Sequence, residues 1–207
     1  MFFPRLVRRP EPHYHSNRNS FYADYRSNYN NISEDCLHRC VYCDITSEEF
    51  GGDEMQLDHF RPQEHFSELS VHPYNLHLAC PKCNVLKTSD WPCAKEADSP
   101  SFLDGVGYLD RFKDHAEMYL KVGDDGEIIP LAGPIDYMIK KMLLNRKSRT
   151  NVRRKRLITH KKTQLLEGIN QLVKKLATDV ELEKISSTDA SLKKDKIIEL
   201  FVLCSKI

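Results

Sequence analysis

Two Cys-x2-Cys pairs constrain the fold of this chain more than any other feature of its sequence. Cys40 and Cys43 form the first pair, Cys80 and Cys83 form the second, and 36 residues separate them. Two residues between thiolates let both sulfurs reach one ion from a tight turn, so such pairs are typical of a structural zinc site. Seven cysteines behind a start that lacks a secretory pattern argue against a disulfide framework. Four buried reduced cysteines are the alternative, and Cys36 is close enough to compete as a ligand.

The segment between and just after the cysteine pairs predicts a small unit of two strands and a helix. Residues Met55–Phe60 alternate apolar and polar side chains, which is typical of a short strand. Residues Asn75–Cys80 predict a second extended segment, and Asn84–Thr88 predict the start of a helix. Because elements this short bury too little apolar area to be stable alone, we expect the zinc to contribute to folding.

The same segment carries residues able to bind a metal ion or move a proton. They are Asp58, His59, Asn75, Asn84 and Lys87. In this order, and together with the two cysteine pairs, they resemble the HNH endonuclease family over residues 40–87. The resemblance implies an α+β fold with a small ββα-metal core that is stapled by a structural zinc on four cysteines. It also implies hydrolysis of DNA phosphodiester bonds by a metal-dependent endonuclease.

These residue types suit phosphodiester hydrolysis. A neutral imidazole accepts a proton near pH 7, so His59 is the candidate general base. Asp58 and Asn84 offer oxygen ligands, which favour Mg²⁺ (or Mn²⁺) over softer metals as the catalytic ion. By resemblance, Asn75 holds the loop after His59 through backbone hydrogen bonds and so aims the imidazole.

Two basic residues of this unit are candidates for phosphate contact. Lys87 lies one helical turn beyond Asn84, and Arg61 follows the first strand. Lys87 could instead be an ordinary surface lysine, and Asp58 could be a cap or an acceptor beside the zinc. A module that only binds nucleic acid or a protein needs none of Asp58, His59 and Asn84. Their joint presence therefore favours an enzyme.

The formal net charge of +1 conceals opposite charges in different segments. Residues 44–127 contain seven Lys or Arg and eighteen Asp or Glu, whereas residues 138–176 contain thirteen Lys or Arg and one acid. Such asymmetry is typical of contact with a polyanion or docking on a partner. The alternatives are a solvated helical face and pairing with the acidic block. The candidates for nucleic-acid contact in the basic stretch are Arg149, Arg153, Arg154, Arg156, Lys161 and Lys162.

Composition and periodicity divide the chain into four expected regions. These are a basic and aromatic N-terminal arm (1–35), the HNH core (36–92), a loop and hairpin connection (93–134) and a basic helical region (135–207). The arm either follows a phosphate backbone or wraps the core. Apolar residues repeat at helical spacing from Ile158 to Leu176, which predicts core packing or a subunit contact, so a homo-oligomer is one expectation.

Finer patterns extend the resemblance beyond the core. The His-Phe-Arg-Pro run at His59–Pro62, with Gly126–Pro130 and Leu143–Arg146, is similar to HNH proteins of bacterial anti-phage systems, including Septu HNH subunits and retron-associated nucleases. That resemblance implies a defence nuclease that acts on invading DNA with an ATPase partner of the SMC or ABC type. The alternatives are a non-catalytic zinc module and a toxin nuclease directed at RNA. No apolar run reaches about 18 residues, so we expect a cytoplasmic protein without a membrane contact.

Overall fold

The computed structural model describes residues 2–51 and 54–206 and shows an α+β protein. The strands, which pair antiparallel two by two, are β1 Gln56–His59, β2 Leu76–Ala79, β3 Phe102–Leu103, β4 Val106–Gly107, β5 Leu120–Val122 and β6 Ile128–Pro130. The helices are α1 Tyr29–Asp35, α2 Pro81–Lys87, α3 Ile135–Met142, α4 Lys147–Glu181 and α5 Ser187–Ser205. The chain divides into two compact units, residues 1–153 and 154–207. The four expected regions stay predictions.

Strands β1 and β2 and helix α2 form a ββα unit in the first half of the chain. In the antiparallel register, Asp58 lies opposite His77 and His59 lies opposite Leu76. Both predicted strands are present within a residue or two of their expected ends. Helix α2 begins at Pro81, three residues before the expected start. Proline suits the first helical position because its missing N–H would have no partner there.

Strand β2 is the buried centre of this unit. All four of its residues are buried, whereas β1 shows one buried residue, Asp58, between partly exposed neighbours. The amide of Val41 donates to the carbonyl oxygen of Leu78 at 2.9 Å, which attaches the first cysteine pair to the edge of the hairpin. The first cysteine pair is thus attached to β2, and the end of β1 carries the Asp-His pair.

The N-terminal arm packs on the ββα unit. Arg8 donates to the carbonyl oxygen of Leu76 at 2.6 Å, and its guanidinium carbon lies 3.5 Å from the centre of the Phe112 ring. The fully buried Tyr14 donates its hydroxyl to the carboxylate of Asp35 at the end of α1. This packing agrees with the expectation that the arm wraps the core.

The second half of the chain contains a hairpin and the longer helices. The expected β-hairpin corresponds to β5 and β6, and α3 ends where Leu143 adopts a left-handed conformation with φ of 49°. Ser186 caps α5 by accepting from the amide of Asp189 at 3.1 Å, so this helix begins at Ser187. Among the described residues, no helix is long and apolar enough to cross a membrane.

Candidate active site and metal centre

His59 stands at the end of β1 with its imidazole fixed in one tautomer. Its Nε2 lies 2.8 Å from the carbonyl oxygen of Ser70. A carbonyl oxygen can only accept a hydrogen bond, so Nε2 carries the proton and Nδ1 holds the free lone pair. The ring of Tyr25 packs edge-on against the imidazole, with 4.7 Å between the ring centres. The bond to Ser70 therefore orients the imidazole and leaves Nδ1 as the nitrogen that can take a proton.

Asn75 connects the two ends of the loop that follows His59. Its Oδ1 accepts from the amide of Arg61 at 2.8 Å, and its Nδ2 donates to the carbonyl oxygens of Arg61 at 3.0 Å and Leu69 at 3.3 Å. Leu69 immediately precedes Ser70, whose carbonyl orients His59. These contacts are the backbone hydrogen bonds that the resemblance implies for Asn75, which acts as a positioning residue.

Asp58 is buried and held from two sides. Its carboxylate accepts from the hydroxyl of Tyr42 and from the ammonium of Lys87, whose Nζ lies 3.2 Å from Oδ2. Burial, together with the neighbouring Asp58, raises the pKa of Tyr42 well above its ordinary value, so the hydroxyl remains protonated and donates. A carboxylate offers about four lone-pair positions, so these two partners leave others for a cation.

Lys87 does not reach the surface. It is fully buried, and besides Asp58 its Nζ donates to the carbonyl oxygen of His59 at 2.8 Å. The structure thus places Lys87 inside the ββα unit, where it fixes the Asp58-His59 pair. Neither the surface lysine nor the phosphate contact considered from the sequence agrees with this burial.

Asn84 and Asp58 line one open pocket with His59. The pocket has a volume of about 490 Å³ and is also lined by residues of the loop after β1 and of the end of α2. The Nδ2 of Asn84 donates to the side chain of Gln56 at 2.8 Å, which leaves its Oδ1 for a cation. Carboxylate and amide oxygens together suit a hard divalent ion such as Mg²⁺ or Mn²⁺. The residues present therefore fit the expected catalytic metal.

The four cysteines of the two pairs form a compact, buried cluster. The ligand atoms of Cys40, Cys43, Cys80 and Cys83 all lie within 4.8 Å of one another, and the Sγ atoms of Cys43 and Cys80 are 3.8 Å apart. A Zn–S bond of about 2.3 Å in a tetrahedron requires a sulfur separation of about 3.8 Å. Among the described residues this is the one group of three or more His, Cys, Asp or Glu side chains placed to hold a metal ion.

Two arginines donate to the sulfur atoms of this cluster. The Nη2 of Arg149 lies 3.4 Å from the Sγ of Cys80, and the Nη2 of Arg146 lies 3.5 Å from the Sγ of Cys83. Hydrogen bonds with Cys40 and the other cysteines, and with Arg149, lower the pKa of the Cys80 thiol. Burial alone would lower the pKa of Arg149, but its bond to Cys80 raises it. The arginines thus favour the thiolate of Cys80, the form of a cysteine that binds zinc.

Three of the expected nucleic-acid contacts have their guanidinium groups occupied inside the protein. Arg61 donates to the carbonyl oxygens of Glu96 and Ser99, and its guanidinium carbon lies 4.8 Å from the centre of the Trp91 ring. Arg153 is 1 % exposed and donates to the carbonyl oxygen of Cys43 at 3.2 Å, and Arg149 is 7 % exposed. This burial contradicts the phosphate contacts expected for Arg61, Arg149 and Arg153.

The other expected contacts lie in the second unit. Arg154 and Lys161 are exposed on α4, whereas Arg156 and Lys162 on the same helix are partly exposed. Sequence reasoning missed the partners that orient the active-site residues, namely Tyr25, Tyr42, Gln56 and Ser70. No local motif marks these residues, because the fold brings them to the site from separate segments.

Residues 40–90 match the model of a protein family described as HNH endonuclease. This range contains both cysteine pairs together with β1, β2 and α2, so the match and the site geometry concern the same unit. The match supports the HNH resemblance of this domain and suggests nuclease activity. Comparison with curated proteins and comparison with solved structures both found no match.

Proposed function

We propose that this protein is a metal-dependent endonuclease that hydrolyses phosphodiester bonds of DNA. The observation that carries the proposal is the imidazole of His59, whose Nε2 donates to the Ser70 carbonyl and which lies in one pocket with Asp58 and Asn84. A binding module has no use for an imidazole whose tautomer and orientation are fixed beside two oxygen ligands.

The reaction requires a proton acceptor for the attacking water and compensation for charge on the leaving oxygen. His59 accepts the water proton on Nδ1, while the Ser70 carbonyl stabilises the resulting imidazolium through Nε2. Asp58 and Asn84 would hold a Mg²⁺ ion, which supplies charge stabilisation at the phosphate oxygens. Lys87 keeps the Asp58 carboxylate in place, and Asn75 keeps the Ser70 carbonyl in place.

A structural zinc in the four-cysteine cluster is part of the proposal. The cluster links the first cysteine pair to the start of α2, so it positions Asn84 one residue after Cys83. We expect Cys83→Ser to lose activity by disrupting the fold of this unit, whereas His59→Ala should lose activity with the fold intact. Zinc content measured by atomic absorption should fall only in the cysteine variant.

Incubation of the purified chain with supercoiled plasmid tests the activity. Cleavage should require Mg²⁺ or Mn²⁺, stop with EDTA, and be lost in His59→Ala but not in a variant of the exposed His13. A parallel arm with single-stranded RNA separates a DNA nuclease from an RNA-directed one. Cleavage by His59→Ala at the parent rate would refute the assignment of the general base.

We further propose a role as the nuclease of a bacterial anti-phage system, which rests on the sequence resemblance alone. An ATPase partner of the SMC or ABC type and a homo-oligomer belong to this proposal. Support for a protein contact comes from the second unit, where Leu165, Leu172 and Leu203 are exposed. On α4, Arg154, Arg156, Lys161 and Lys162 are the remaining proposed DNA contacts. Co-expression with a neighbouring ATPase gene and a plaque assay test the biological role.

A further inference from the structure

The active-site pocket continues into a second pocket that the N-terminal segment lines. This second pocket, about 520 Å³ in volume, shares Tyr25, Leu57 and Asn84 with the pocket of His59. Its far wall is formed by Arg26 and Tyr29. The two pockets together form one groove across β1, with His59 in one half and Arg26 in the other.

Three side chains in this groove contact one another in series, from Arg26 through Tyr25 to His59. The guanidinium carbon of Arg26 lies 5.0 Å from the centre of the Tyr25 ring, and that ring lies edge-on at 4.7 Å from the imidazole of His59. Tyr25 and Arg26 lie in a single turn of 3-10 helix, Tyr25–Asn28, whose first amides are capped by Asp24. Arg26 and His59 therefore contact the same Tyr25 ring.

Arg26 is the one Lys or Arg among the described residues that line the groove, whereas Glu54, Asp58 and Glu64 line it with carboxylates. The guanidinium of Arg26 has its nearest carboxylate partner in Asp24 at 3.7 Å, and the two side chains are 74 % and 60 % exposed. An ion pair this exposed contributes little, so a phosphate can replace the carboxylate at small cost.

We propose that Arg26, held on the ring of Tyr25, binds a backbone phosphate of the nucleic-acid strand next to the phosphate that His59 addresses. Tyr25 is a positioning residue in this arrangement, because it holds both the guanidinium and the imidazole. A nucleic-acid strand is the ligand because it carries phosphates at successive positions. Arg26 and His59 offer two successive contacts along the groove, on either side of the Tyr25 ring. This inference rests on the proposed function, and it names where the substrate strand leaves the active site.

The binding test uses the full chain and a fluorescent 20-nucleotide DNA duplex, and every protein carries His59→Ala to prevent cleavage. Each phosphate contact contributes about 0.9 to the slope of log K against log salt concentration. We therefore expect Arg26→Gln to make this negative slope about 0.9 less steep. Between 50 and 200 mM salt, the affinity of the variant should then fall by a factor about 3.5 times smaller than the factor for the parent. Arg18→Gln is the matched control, since Arg18 is an exposed arginine of the same segment outside the groove.

A slope change confined to Arg26→Gln supports the subsite. An unchanged slope, an equal change in Arg18→Gln, or no binding of DNA by the parent chain would overturn it. Failure of the proposed function has a different signature, namely no metal-dependent cleavage by the parent chain while the salt slopes still differ between the two arginine variants.

The positioning role of Tyr25 has a separate readout. Tyr25→Phe keeps the ring and should retain cleavage within about twofold, whereas Tyr25→Ala should lower kcat about tenfold, because the imidazole loses its packing partner. Circular dichroism checks that both variants fold. Equal kcat values in the two variants would overturn the role of the ring.

Discussion

Replacement of Lys87 by methionine tests the charge arrangement under the active site. The ammonium is fully buried and lies 3.2 Å from a carboxylate that is itself only 4 % exposed. Removal of one partner of a buried ion pair costs about 3–5 kcal/mol, because the other charge stays buried without compensation. Tyr42 still donates to Asp58 in this variant, so we expect a loss near the lower end, about 3 kcal/mol.

The single tryptophan of the chain makes this loss measurable in the relevant unit. Trp91 is buried in the first unit and contacts Phe60 at 5.6 Å between ring centres, so its fluorescence reports unfolding around the active site. With a urea dependence of about 1–3 kcal/mol per molar, a loss of about 3 kcal/mol moves the midpoint down by about 1–3 M. Lys82→Met is the matched control on the same helix, where the exposed side chain should change stability by less than about 0.5 kcal/mol.

A double variant separates charge from packing. Asp58→Asn combined with Lys87→Met removes both charges. The loss of unfolding free energy in the double variant should therefore be smaller than the sum of the losses in the two single variants, by about 0.5–3 kcal/mol. A Lys87→Met midpoint equal to that of Lys82→Met would refute the reasoning, since it would mean that the ammonium does not compensate the Asp58 carboxylate.

Three other perturbations test the positioning of the site and the zinc cluster. Asn75→Ala should reduce plasmid cleavage at least tenfold with an unchanged circular dichroism spectrum, because the loop between His59 and Ser70 loses its hydrogen bonds. Burial lowers the pKa of His77 well below its ordinary value, so as the pH falls His77 is protonated in the unfolded chain before it is protonated in the folded one. The free energy of unfolding therefore decreases as the pH drops below about 6.5, the ordinary pKa of histidine. In urea titrations at pH 5.5, His77→Phe should abolish about 1.4 kcal/mol of this pH-dependent decrease. Arg149→Met should release zinc to a chromogenic chelator about 10–100 times more readily than the parent, whereas Arg154→Met should match the parent.

Local sequence patterns predicted the ββα unit well because its elements are specified by near neighbours. The alternation around Asp58 marks a strand, and the Cys-x2-Cys spacing marks a metal knuckle wherever it occurs. The hydrogen bonds of Asn75 also agree with the role implied by resemblance. Tyr25 and Tyr42 could not be assigned in this way, since their contacts with His59 and Asp58 join segments that are distant in sequence.

The direction of the basic side chains was harder to predict, although helical periodicity holds part of the answer. Lys87 lies four residues after Cys83, so it shares the face of α2 that carries a metal ligand and points into the protein. In the same way, Arg146, Arg149 and Arg153 recur at spacings of three and four, which places them on one face. A basic residue on the helix face that carries a buried metal ligand is therefore predicted to have a partner inside the protein and not to contact a phosphate.

The charge distribution along the chain acquires a different meaning once these partners are known. Four thiolates around one Zn²⁺ would carry two more negative charges than the ion neutralises, and Arg146 and Arg149 supply two positive charges within hydrogen-bond distance of the sulfurs. The beginning of the basic stretch thus balances the cysteine cluster, and Lys141 pairs with a carboxylate of the acidic block, Asp90 at 3.5 Å. The number of basic residues in the sequence therefore overstates the positive surface available to a polyanion. Because many other arginines bind partners inside the protein, Arg26 in the groove is a more important candidate for phosphate contact.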